Sequence, residues 1–157
     1  MTSTITPGIL PAGAWTAIQK GTGACDITSI PTGYKFLRLI IQTAATAPVL
    51  TFNADGGNNY FYDEVYALTE AHAESTASIL LTRAALAANS LICLDISNIA
   101  TAVKHVIGQA SCYAGGASQN QVHAIDGTWT NATDEINRIT VTGGTPVYWC
   151  LFGAALI

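Results

Sequence analysis

Apolar and polar residues alternate along this chain in short runs, and turn-forming residues separate the runs. The clearest run is Tyr34-Lys-Phe-Leu-Arg-Leu-Ile-Ile-Gln42, with Leu37, Leu39 and Ile41 on one face and Tyr34, Phe36, Arg38, Ile40 and Gln42 on the other. Successive side chains of a strand point to opposite faces, so this pattern predicts a strand packed on one side and partly covered on the other. Residues 91–96 repeat it, with Ile92, Leu94 and Ile96 sharing a face. Further strands are predicted at 15–18, 24–27, 48–52, 75–82, 101–112, 122–129, 135–141 and 147–152. A short helix between Leu68 and Glu74 is the competing expectation where Ala, Leu and Glu concentrate.

Turn signals recur between these runs: Lys20-Gly-Thr-Gly23, Ile30-Pro-Thr-Gly33, a Gly-rich loop at 115–120 and Gly143-Gly-Thr-Pro146. The densest is Asn53-Ala-Asp-Gly-Gly-Asn-Asn59, entered from Phe52 and left through Tyr60, Phe61 and Tyr62. Gly tolerates positive φ, and Asn and Asp bond their own backbone, so the chain is expected to reverse sharply here. Short strands with frequent turns and little helical period predict an all-β sandwich or barrel. Residues 1–14 carry Pro7, Gly8, Pro11 and Gly13 without periodicity, which predicts an extended N-terminal arm ahead of one β-sandwich domain over 15–157.

Composition then narrows the function. Only 10% of the 157 residues are charged while 50% are hydrophobic, against roughly 25% charged in an ordinary soluble domain. Surfaces covered by other subunits are depleted of charge, so the expectation is a chain that works in an oligomer or array. Six Lys and Arg spread over the chain, with a net charge of −4, give no basic stripe for nucleic acid. The apolar runs are shorter than the ~20 residues that span a bilayer, and Met1-Thr-Ser-Thr-Ile5 does not resemble a secretory signal, so neither membrane nor Sec export is expected.

Candidate chemistry is thin. Asp63-Glu64 and Asp134-Glu135 are adjacent carboxylates, but neighbours in a strand face opposite ways, and they read as solvated charges. His72, His105 and His123 stand far apart and flank no recognisable nucleophile motif, so no catalytic residue is assigned. Asn53, Asp55, Asn58 and Asn59 crowd oxygen donors, yet one carboxylate without EF-hand spacing predicts a turn held by its own hydrogen bonds rather than a calcium site. Neither a metal nor a cofactor is expected. Cys25, Cys93, Cys112 and Cys150 form no CxxC pair and are expected as small buried hydrophobes, with disulfides or zinc the alternatives. Tyr60, Tyr62, Trp129, Tyr148 and Trp149 are expected in the core or an interface, with a glycan platform the alternative. Asn131-Ala-Thr133 matches a glycosylation sequon.

Taken in order, Trp15-Thr-Ala-Ile-Gln19, Ser29-Ile-Pro-Thr-Gly-Tyr-Lys-Phe-Leu37, the turn from Phe52 to Tyr60, Trp129, Ile136-Asn-Arg-Ile139 and the closing run 147–153 form an ordered set. That set resembles virion structural proteins of tailed bacteriophages, and it covers nearly the whole chain. Two departures stand out: Asp55 is followed by two glycines, and the closing run carries Trp149 and Cys150. The resemblance implies a jelly-roll-like antiparallel β-sandwich and a non-enzymatic role in the virion. It implies a capsid decoration or cement protein, made in the host cytoplasm, that contacts itself as a trimer and also the major capsid protein. A tail or fibre module that binds the host is the alternative it implies.

Overall fold

The computed structural model describes residues 14–45, 47–66, 69–82, 89–113 and 120–155. The predicted arm over 1–14 lies outside the described residues up to Gly13, as does the loop expected at 115–120 up to Gln119. Strand makes up 65% of the described residues, which contain no helix.

Among the described residues twelve strands follow in chain order: β1 (Thr16–Thr22), β2 (Cys25–Ile27), β3 (Tyr34–Thr43), β4 (Val49–Phe52), β5 (Tyr60–Tyr66), β6 (Thr69–Thr76), β7 (Ile79–Leu80), β8 (Ser90–Ser97), β9 (Lys104–Tyr113), β10 (Asn120–Trp129), β11 (Ile139–Thr142) and β12 (Pro146–Ala155). They form two antiparallel sheets in a sandwich-like arrangement. The larger has the order β1-β12-β3-β8-β9-β10-β5-β6 and the smaller β2-β11-β4-β7.

The alternation in β3 does what its sequence predicts: Leu37, Leu39 and Ile41 are fully buried. Register carries that inner face across the sheet, pairing Leu39 with Leu94 of β8 and Leu151 of β12. The smaller sheet closes the core with Ile27, Leu50, Phe52, Ile79, Ile139 and Val141. Each such Leu, Ile or Phe contributes on the order of 1.5–3 kcal/mol by leaving water.

Several expected boundaries change. Leu68 lies outside the described residues, and from Thr69 on the helix expected between Leu68 and Glu74 is strand β6, paired with β5 in the register Asp63↔His72. Its Ala and Glu favour helix only weakly, and hairpin pairing with Glu70, His72 and Glu74 all directed outward overrides that preference. The strand expected at 75–82 is divided: Ser75 and Thr76 end β6, and Ile79–Leu80 form β7. Lys20 and Gly21 belong to β1, and the turn sits at Gly23, with φ 74°, where the chain passes from the larger sheet to the smaller. Of the run expected at 135–141 only residues 139–141 pair as strand, within β11.

Candidate functional site

The inner face of the larger sheet packs against the smaller sheet, and its outer face meets solvent. Strand register arranges that outer face in rows. One row reads Thr22, Tyr148, Gln42, Leu91, Ser111 and Val122 across six neighbouring strands, all exposed and none charged. The next row crosses all eight strands: Lys20, Cys150, Ile40, Cys93, Gln109, Ala124, Val65 and Glu70. Its only charges are at its ends. A third row runs Ala17, Phe152, Arg38, Asp95, Ile107, Asp126, Asp63 and His72. Within it Arg38 donates two hydrogen bonds to Asp95, of 2.7 and 2.9 Å, and its guanidinium lies 4.6 Å from the Trp15 ring.

Large apolar side chains stand out on this face: Leu91 is 54% exposed, Ile107 59% and Val122 63%. Cys93 is exposed and Cys150 half-buried here, which corrects the expectation that all four cysteines are buried; Cys25 and Cys112 are. A thiol at either position replaces a polar group in the uncharged row.

The ionisable residues split between the two faces as alternation requires. Asp63 is half-exposed, whereas Glu64 is fully buried and joined to Nδ1 of the fully buried His123, whose ring stacks on Tyr66 at 4.7 Å. The reading of Glu64 as a solvated charge is therefore wrong. Nearby on the same inner face a buried polar row runs Thr43, Ser90, Cys112 and Gln121. Ser90 donates to Cys112 Sγ at 3.0 Å, while Thr43 Oγ1, Gln121 Oε1 and His123 Nε2 make no hydrogen bond. Burial pushes the Cys112 thiol up, and the charge of Glu64 adds to this, so the dyad sits beside a neutral thiol rather than an activated nucleophile.

On the outer edge, Asp63, Glu70 and His72 place potential ligand atoms within 4.8 Å of one another. Both nitrogens of His72 are already engaged, Nδ1 with Asp63 at 2.5 Å and Nε2 with Glu74 at 3.2 Å. These carboxylates, Asp63 foremost, push the imidazole above its ordinary value.

The turn after β4 is held by its own side chains. Asp55 accepts from Gly57 N at 2.8 Å, Asn59 Nδ2 at 2.9 Å and the indole Nε1 of Trp129 at 2.7 Å. These donors, the indole first, hold its carboxyl below the usual carboxylate range. Asn53 accepts from the backbone N–H groups of Asn137 and Arg138 and donates to the Glu135 carbonyl. Tyr60, Trp129 and Phe52 pack together, the first two stacked at 6.3 Å. Positive φ falls on Asn53 at 52° and Ala54 at 56°, not on the two glycines of the turn. Beneath it Lys104 is fully buried, its Nζ donating to the carbonyls of Ala102 and Asn131 and lying 5.8 Å from the Trp129 ring; burial pushes it down.

The remaining candidates have structural partners. Glu135 is largely buried and pairs with Lys35, so it too is not a solvated charge. Asn131 Oδ1 accepts from the backbone of Thr133 and Asp134 in an Asx turn. Trp149 is buried in the core, whereas Tyr148 is exposed in the uncharged row. His105 lies on the outer face beside Thr128, far from His72 and His123 in the register.

The chain matches no family model, no curated protein and no solved structure.

Proposed function

We propose that this chain is a non-enzymatic structural protein that assembles through the outer face of its larger sheet. The observation that carries this reading is the pair of adjacent rows that are both uncharged across the five neighbouring strands β12, β3, β8, β9 and β10. The uncharged stretch of these rows, with Leu91, Val122 and Tyr148 exposed, loses little solvation and much apolar surface when another protein covers it.

The edges support the same reading. Strand β1 carries Lys20 and a register shift between Ala17 and Gln19, and β6 carries Glu70, His72 and Glu74. Charge and bulges oppose strand addition at a sheet edge. The edges of the smaller sheet are the three-residue β2 and two-residue β7, too short to extend.

The ordered motifs from Trp15 to Gly153 resemble those of tailed-phage virion proteins, and the assembly is accordingly a phage particle. The protein decorates and cements the head there, in contact with copies of itself and with the major capsid protein. Densitometry of purified particles tests this. Copies comparable in number to the major capsid protein are expected, with Leu91→Asp reducing attachment. A few copies per particle would assign it to the tail or a fibre instead, and its absence from particles would overturn the reading.

A further inference from the structure

We infer that the outer face pairs with the same face of a second copy about a two-fold axis parallel to the strands. This rests on the reading of that face as the assembly surface. The axis lies between β8 and β9, the central strands of the eight.

In the row that crosses all eight strands, the charges are Lys20 on one edge strand and Glu70 on the other. A two-fold axis along the strands places β1 of one copy over β6 of the other, so each Lys20 faces a Glu70 of the second copy. The six uncharged side chains between them meet one another, with Cys93 near the axis over Gln109. The same operation lays the third strand over the sixth, which brings Arg38 opposite Asp126.

An axis across the strands would instead lay β6 over β6 and, centred on the row of Asp63 and His72, set Glu70 against Glu74 and Asp63 against Asp63 of the second copy. Like charges in register oppose such a contact. Two-fold pairing is also self-complementary, as a closed homodimer requires.

The area suffices. Eight strands spaced ~4.8 Å apart and three rows separated by ~7 Å cover on the order of 800 Å² per copy, about the share each partner contributes to a standard stable interface.

Charge reversal tests the geometry. Within one copy Lys20 and Glu70 lie on opposite edges of the sheet, so they cannot compensate each other intramolecularly. Sedimentation equilibrium at low salt should show a dimer for the unaltered protein. Lys20→Glu and Glu70→Lys should each weaken it on the order of tenfold, since each replaces two attractive pairs per dimer by two repulsive ones. The double variant Lys20→Glu/Glu70→Lys should restore the original affinity. Circular dichroism checks that all variants keep their strand content.

If the protein self-associates and Leu91→Asp breaks the association, but the double reversal restores nothing, the two-fold register is overturned while the face remains the assembly surface. A trimeric mass would likewise overturn the two-fold pairing. A strictly monomeric protein would overturn the pairing itself, and attachment of the Leu91→Asp variant to particles would then decide the assembly reading separately.

Discussion

Replacing Asp55 by Ala removes the acceptor on which the turn after β4 depends. Three donors lose their partner: the Gly57 N–H, the Asn59 amide and the Trp129 indole N–H. The first two lie at the exposed surface and recover bonds to water. Trp129 is only 1% exposed, so its indole N–H stays largely shielded and unpaired. A hydrogen bond to a charged acceptor is worth about 1.5–3 kcal/mol, and a shielded orphan donor adds to the loss. The expected destabilisation is about 3 kcal/mol, which for a chain of this size lowers the melting temperature by roughly 6–12 °C. The pH dependence has a defined sign. The Asp55 carboxyl is held below its usual range, so its contribution is present above the unfolded carboxylate pKa. It disappears as pH falls through the lower folded value, and the gap between the two proteins closes in acid. Thermal melts at neutral and acidic pH, followed by Trp fluorescence, provide the assay. A variant that melts within about 2 °C of the original at neutral pH, or a gap that widens in acid, would refute the reasoning.

Ala54 occupies the left-handed region at φ 56°, so Ala54→Gly relieves strain; after the entropy Gly adds to the unfolded chain, a net gain of about 0.5–1 kcal/mol is expected in urea denaturation. On β9, a Cβ at Gly108 would lie 2.3 Å from the Cys93 carbonyl oxygen and 2.6 Å from Leu94 Cδ2. Gly108→Ala should therefore cost about 2–3 kcal/mol, measured the same way. His72 should titrate above the ordinary imidazole value by NMR, and Asp63→Asn should move it back down. Its pairing with Asp63 is present below the unfolded imidazole pKa and is lost as pH rises through the higher folded value.

The strands whose two faces differ most in polarity were legible from sequence. Leu37, Leu39 and Ile41 in β3, and Ile92, Leu94 and Ile96 in β8, announce a buried face by alternation alone, and all are buried. Strand β6 was not legible, because Ala and Glu favour helix and only the pairing with β5 decides otherwise. The turn at 53–59 was recognisable from its Asn, Asp and Gly, but its left-handed residues are Asn53 and Ala54. Tertiary bonds from Asn53 to the backbone of Asn137 and Arg138, over eighty residues away, fix that conformation. Separation along the chain also hid the Glu64–His123 pair, whose members lie 59 residues apart. Alternation through Gln121, His123, Ile125 and Trp129 was the available signal that His123 points inward. The scarcity of charge pointed to covered surface. Its location needed the register, since Cys150, Ile40, Cys93 and Gln109 become neighbours only across four strands.

The central claim is that the outer sheet face is the assembly surface, and a single comparison tests it most directly. The sedimentation mass of the unaltered protein is measured against Leu91→Asp, which puts a charge into the uncharged rows at an exposed position that leaves the core intact. The account predicts an oligomer that becomes monomeric on substitution, with the same circular dichroism and melting behaviour apart from the lost association. An oligomer of unchanged mass and affinity in the Leu91→Asp protein would contradict it.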